Sequence, residues 1–480
     1  MVLKEKKEQV VSQQVKASVA YTVCSVLQRS LSFITMPIFS NLLAPEEYGL
    51  SNAYQSVMAI LITFTSLQLP YGSFAKAMIK YEDDRDGYVS AINGLCTVLT
   101  LIFFAVYFPF RKIFNGFMDL TTLLMTVMGF EMLMNTSMNL WMGKERFEYS
   151  YKKVVFVTFL MSVLTAIVGI VAVKYSTDKA LAKVLSASLI VIFLGGIIYI
   201  YSIIKGHKFY DKEYWQYALN FNIPLIPYYL SQIIFNQSDK LMIDRMCSRR
   251  EGALYGVAYS VAIIFSFVLN AINSSYQPWL YNKIKDQDFE DNKKVSMAIA
   301  AVMGILLLGL ISIAPEFMRI LHKDYYDGLW VIPPVAMSLL LLFYTQLFVN
   351  VEFFYEAKKY LVMGSILSAI INVVLNYFLI PVFGYHIAGY TTLISYILFA
   401  IGNYYCAMIV CDKNNAKKDM YDYKGLIIIM LLFLFCGIVL TLLYKHMIIR
   451  YILIVVVLTA GAVTYKIWLP LLLECIRLFR

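Results

Sequence analysis

The chain has 480 residues, of which 60% are apolar and only 15% charged, with a mean hydropathy of +0.67 and a net charge of +10. A soluble domain carries about 25% charge, so the composition excludes an ordinary soluble enzyme and leaves no length for a sizeable extramembrane domain. The positive balance lies mostly in loops between apolar runs, which reads as membrane topology and anionic-lipid contact; no nucleic acid is expected.

The polar opening, with Lys4, Glu5, Lys6, Lys7 and Glu8, leads into an apolar stretch over 17–42. That stretch is too long for the apolar core of a signal peptide, so no cleavable leader is expected and the stretch reads as the first helix. Further helices are expected over 50–80, 88–109, 119–142, 150–174, 180–204, 216–246, 254–280, 295–319, 329–355, 359–380, 385–411, 425–444 and 447–472. A spanning helix needs about twenty mostly apolar residues. Runs such as 426–443 and 448–463 are continuous and lack the alternation of a membrane β-barrel. The fold class expected is therefore an all-α polytopic membrane protein with about fourteen transmembrane helices. An even count puts both termini on one side. With the N-terminus cytoplasmic, Lys and Arg favour the cytoplasmic segments by about two to one, which supports cytoplasmic termini.

The chain repeats itself. Phe147-x-Tyr149-x-x-Lys152-Lys153 recurs as Phe353-x-Tyr355-x-x-Lys358-Lys359, and Glu46 with Ala53-Tyr54 recurs as Glu251 with Ala258-Tyr259, both about 205 residues later. An even number of helices per repeat preserves orientation, so two parallel six-helix repeats are expected, a transporter architecture. The expected domains are 1–215, 216–412 and a pair of additional helices over 413–480.

Polar residues within the spans form stripes at steps of three and four, which lie on one helix face. The first helix has Thr22, Ser25, Gln28, Arg29, Ser32 and Thr35; the second has Asn52, Gln55, Ser56, Thr63 and Ser66. The seventh has Gln232, Asn236, Gln237, Asp239 and Lys240; the eighth has Ser266, Asn270, Asn273, Ser274 and Gln277. Helices thirteen and fourteen have nothing comparable. Interhelical hydrogen bonding accounts for isolated Ser or Thr residues; four amide-rich stripes at equivalent places point to a hydrated cavity. Its candidate substrate-binding residues are Arg29, Gln28, Asn52, Gln55, Asn236, Lys240, Asn270 and Asn273.

Arg29 and Glu131 each fall near the middle of a span, where charge is costly. Arg29 reads either as an ion-pair partner of Glu131 or as a contact to an anionic substrate, since Arg grips phosphate through a planar fork. Lys76 lies within a turn of Lys80 and is expected to snorkel to the interface. Asp239 and Lys240 could neutralise each other, couple to an ion or touch substrate. Asp239 and Glu131 are the ion-coupling candidates.

Several chemistries have no motif here. The seven cysteines form no Cys-x-x-Cys pair and the four histidines lie far apart, so no metal site and no cofactor are expected. A phosphate loop of the ATPase type is absent. Asp83-Asp84 and Asp286-x-Asp288 sit in short charged loops, where a solvated face is the simpler reading than a glycosyltransferase metal site. Pro224 and Pro227 should bend the seventh helix.

Pro37 through Leu42-Leu43-Ala44-Pro45-Glu46-Glu47-Tyr48-Gly49 resembles the opening of bacterial polysaccharide-biosynthesis flippases of the Wzx type. Ser238-Asp239-Lys240-Leu241-Met242-Ile243 with Leu254-Tyr255-Gly256-Val257-Ala258-Tyr259 resembles their seventh and eighth helices, and Asn376-Tyr377-Phe378-Leu379-Ile380-Pro381-Val382-Phe383-Gly384 with Gly389 their helix 11–12 junction. Multidrug exporters and lipid II flippases of the same superfamily share the architecture. The resemblance implies a bacterial inner-membrane flippase, not an enzyme. It would translocate an undecaprenyl-pyrophosphate-linked oligosaccharide by alternating access, with membrane lipids around it and polysaccharide polymerase and glycosyltransferases as further candidate partners. The alternatives are a cation-coupled multidrug exporter and a membrane glycosyltransferase or polymerase.

Overall fold

The computed structural model describes Ala20, Cys24, Leu27, Gln28 and residues 30–148 and 150–463; these are helical with short connections, and no strand occurs among them. The chain divides into two compact units, Met1–Gln237 and Ser238–Arg480, a division that falls inside a helix rather than ahead of it.

The first unit contains α1 (Ser30–Leu42), α2 (Pro45–Ser66), α3 (Phe74–Lys80), α4 (Arg85–Tyr107), α5 (Arg111–Met118), α6 (Thr122–Phe147), α7 (Tyr151–Tyr175), α8 (Lys179–Gly206), α9 (Lys212–Asn222) and the start of α10 (Ile226–Met246). α4, α6 and α8 pack on one another, with α2 against all three and α7 against α8. The second unit runs through α11 (Arg249–Ala262), α12 (Ser266–Asp286), α13 (Glu290–Ile320), α14 (Ile332–Phe354), α15 (Lys358–Phe383), α16 (Ile387–Lys413), α17 (Tyr423–Leu442) and α18 (Met447–Val463). Its core is α14 against α16 and α13, with α15 on α16 and α17 on α13. α4, α7 and α8 begin about 205 residues before α13, α15 and α16, so the repeat read from short motifs extends to helix order.

Among the described residues, nine helices are long and apolar enough to cross a membrane, or up to ten if the bent pair α5–α6 counts as one span. Fourteen were expected. The expected first and fourteenth helices run into residues outside the described ones, with Ser30–Leu42 and Met447–Val463 the parts described, and the expected second and seventh are broken. The expected second helix arrives as α2 and α3, parted by turns at 67–73. Leu67 and Gln68 take φ of 46° and 53° there, a left-handed conformation that stops an α-helix. The turn satisfies itself through Leu69 N–H to Ser66 O at 2.9 Å and Gly72 N–H to Gln68 O at 3.0 Å, as a backbone break within a membrane must. The expected seventh helix is α9 and α10 joined by a 3-10 turn over Ile223–Leu225, where Pro224 falls. The expected eighth also has a 3-10 turn, over Ile263–Phe265 between α11 and α12, yet it counts as one span, Arg249–Asp286. Phe193, Phe378, Leu431 and Phe435 on the long apolar helices are exposed, as lipid-facing side chains are.

Charge is arranged differently in the two units. In the first, Lys144 on α6 is 1% exposed, and its Nζ lies 2.5 Å from Asp86 and 3.4 Å from Glu145. Lys205 reaches Asp86 at 2.9 Å and Lys153 reaches Glu145 at 3.1 Å. A buried lysine needs such partners. In the second unit the repeat displacement brings Asn292 to the position equivalent to Asp86 and Asn350 to that equivalent to Lys144. Asn292 accepts from Tyr276 Oη at 2.6 Å and donates to Met420 O at 2.6 Å; Asn350 donates to Asn273 Oδ1 at 2.9 Å.

Candidate functional site

Ser238 and Asp239 open the second unit on α10. Asp239 is 2% exposed, on a helix that also carries Gln232 and Asn236, so hydrogen bonds must replace its lost hydration. Three neighbours supply them. Tyr255 of α11 donates to Oδ2 at 2.7 Å, Thr392 of α16 donates to Oδ2 at 2.6 Å, and Asn376 of α15 donates to Oδ1 at 2.6 Å. A second ring supports the first. Thr391 donates to Asn376 Oδ1. Asn372, one turn before Asn376 on α15, accepts from Ser238 Oγ at 3.1 Å and from Asn376 Nδ2 at 3.3 Å. The Asn372 amide nitrogen is buried without a hydrogen-bond partner. The centre thus gathers a carboxylate, amides and hydroxyls from four helices. A buried carboxylate held by such donors is a group that can exchange a proton.

The first unit holds a smaller acidic centre. Glu131 of α6 is buried and accepts from Tyr54 Oη of α2 at 2.7 Å, and Ser188 of α8 donates to that phenol at 3.3 Å. An ion pair with Arg29 was one sequence expectation for Glu131. Arg29 lies outside the described residues, and Glu131 is held by Tyr54.

The other candidates fall as follows. In the first unit, Gln28 donates to Ser162 Oγ at 3.1 Å. Asn52 is half-buried with an unpartnered amide nitrogen, and Gln55 is exposed. Asn236 donates to its own helix at Gln232 O, 2.7 Å, while its neighbour Gln237 accepts from Ser56 Oγ at 3.1 Å. In the second unit, Lys240 places its ammonium 4.8 Å from the Tyr259 ring centroid, Asn270 is exposed, and Asn273 accepts from Asn350.

Sequence reasoning named Asp239 but missed most of its cage. Asn372 and Asn376 stand four apart in an otherwise apolar helix, a one-face polar pair that could have marked them. Thr391 and Thr392 carried no such signal, because single hydroxyls are common in spans. Arg450, inside the expected last helix but not singled out in it, is 1% exposed on α18 and paired with Glu316 of α13; Tyr451 also donates to Glu316, at 2.7 Å.

Residues 15–283 match the family model described as polysaccharide biosynthesis protein. The chain belongs to that family. It is 23% identical over 369 residues to the Lsg locus putative protein 1 of Haemophilus influenzae, a match that covers 75% of this chain and 89% of the relative. An uncharacterized membrane protein of the same organism is 22% identical over 382 residues, covering 74% and 88%. Among solved structures, the fold is similar to the lipid II flippase MurJ in an inward closed conformation, with a TM-score of 0.65, 14% identity and 93% and 99% coverage. It is similar also to an inward-facing multidrug resistance MATE transporter of the MOP superfamily, with a TM-score of 0.61, 12% identity and 83% and 99% coverage. The chain is a multi-pass helical membrane protein of the polysaccharide biosynthesis family with the fold of these flippases and exporters.

Proposed function

We propose that this family member is a flippase rather than an enzyme. It carries an undecaprenyl-pyrophosphate-linked oligosaccharide, a repeat unit of O-antigen, capsule or exopolysaccharide, across the bacterial cytoplasmic membrane by alternating access. The observation that carries the reading is the polysaccharide-biosynthesis family match on a fold shared with flippases. The chemistry agrees. Hydroxyl-rich sugar needs amide and hydroxyl partners of the kind in the stripes, and a pyrophosphate needs a cation, for which Arg29 is the candidate. The Asp239 centre is the proposed ion-coupling site, with Glu131 as a second carboxyl. The Lys and Arg bias supports a topology with both termini in the cytoplasm.

Deletion of the gene, followed by leaflet-resolved labelling of lipid-linked glycan, tests the reading. The glycan should accumulate on the cytoplasmic leaflet and return to the outer leaflet on complementation. Normal outward appearance of the glycan in the deletion strain would rule the flippase out. A cation-coupled exporter is the second reading, favoured by the buried acid at Asp239 and the MATE-like fold; it predicts altered drug resistance with glycan export unchanged.

A further inference from the structure

The second unit has a cavity of about 320 Å³, lined in part by Arg250, Glu251, Asp327, Trp330, Tyr385 and His386. It lies at the ends of α11, α15 and α16 and the 3-10 segment Lys323–Val331, away from the Asp239 centre in sequence and in lining. Three features build it. Gly384 ends α15 with φ of 74° and ψ of −175°, a backbone region open essentially to glycine alone, and this turns Tyr385 and His386 into place. Gly328 lets the 3-10 segment approach α11 so closely that a Cβ there would lie 2.8 Å from Leu254 O. His386 Nε2 lies 3.1 Å from Asp327 O, joining the two loops.

The Tyr385 ring is stacked on His386 with centroids 3.8 Å apart, and the residue is 5% exposed. Its hydroxyl is buried with no hydrogen-bond partner. Burial, followed by the charges of Asp327 and Glu251, pushes the phenol above its ordinary range, with Arg250 opposing. A buried hydroxyl without a partner costs free energy, so a ligand that bonds to it would be favoured here. Carboxylates beside it disfavour an anion such as phosphate. Arg250 disfavours a bare metal cation. A neutral polyol satisfies all of them: its hydroxyls donate to Asp327, accept from Arg250 and meet the Tyr385 phenol, while the Trp330 ring covers an apolar face. The volume stands at the low end of ligand pockets, roughly 300–1,000 Å³, and suits one sugar ring rather than a chain of them.

We propose that this cavity binds a single neutral or N-acetylated sugar ring, as a second contact for the translocated glycan at the external end of the second unit. The role rests on the flippase reading and its topology; the sugar site itself does not.

Saturation-transfer NMR tests it on the full chain in lipid nanodiscs, against methyl glycosides of glucose, galactose, mannose, N-acetylglucosamine and N-acetylgalactosamine. At least one glycoside should bind, and Tyr385→Phe and Asp327→Asn should each weaken it about tenfold. Asp327 is exposed, so its variant decides the matter should Tyr385→Phe misfold. No binding by any of the five, undiminished binding in Asp327→Asn, or displacement by inorganic phosphate would overturn the site. Glycan export is measured in the same strains. Export that depends on the chain without glycoside binding defeats the site and leaves the flippase reading standing. Binding without such dependence does the reverse.

Discussion

At Asp239 a carboxylate is held by three donors from three helices, and each donor can relax if the carboxylate is neutralised. Asp239→Asn keeps the shape and removes the charge. We expect membrane abundance to stay near wild type and glycan flipping to fall at least about tenfold, because a charged acid in a membrane helix is costly unless it functions. Flipping at the wild-type rate would remove Asp239 from coupling. The Tyr54–Glu131 hydrogen bond gives a different outcome. Tyr54→Phe deletes a bond to a buried carboxyl group, a loss of about 1.5–3 kcal/mol for a charged partner. Thermal unfolding in detergent should show lower stability, and Glu131→Gln added to Tyr54→Phe should recover part of it. Arg29 has its own test. As a phosphate ligand it should tolerate Lys only in part, since Lys keeps the charge and loses the fork, and Arg29→Ala should insert normally but not flip. Rescue of Arg29→Ala by Glu131→Gln would instead assign it to an ion pair.

Single elements show where sequence reading reaches its limit. The long apolar helices were legible because about twenty apolar residues in a row admit one physical answer in a membrane. The polar helices were legible as stripes, and the prolines marked the break in the seventh, but the break in the second was not: nothing in the apolarity of Leu67 announces its positive φ. Asp239 was visible as a charge, whereas its cage required knowing which faces of α15 and α16 meet α10. Arg450 falls inside the expected helix 447–472, but nothing in the sequence marked its partner; tertiary packing buries it against Glu316. That pair carries a prediction about α18. Removing one member of a buried ion pair costs about 3–5 kcal/mol, whereas replacing both is often neutral. Glu316→Ala should therefore lower the unfolding midpoint clearly, and Glu316→Gln with Arg450→Met should restore most of it. Equal stability of the single variant and wild type would show that the pair does not hold α18 to α13.

The molecule as a whole is tested by its topology. On a cysteine-free background, Asp288→Cys between α12 and α13 and Lys418→Cys after α16 place thiols at exposed positions. An impermeant maleimide should label both only after the cytoplasmic side is opened. Labelling of either in intact cells would invert the orientation and move the sugar cavity to the cytoplasm. The ion cluster around Lys144 and the neutral amides that replace it in the second unit have a consequence for the chain's ancestry. Two copies of one plan have become unlike at this place, one stabilised by paired charge and the other by hydrogen-bonded amides. They are no longer spare parts for each other. Asn292→Asp would set an acid against the Met420 carbonyl, in a unit where an amide stands at the position equivalent to Lys144, and Asp86→Asn would strip Lys144 of its nearest counter-charge. Each exchange, harmless in a young duplication, should now cost the protein its fold before it costs its activity.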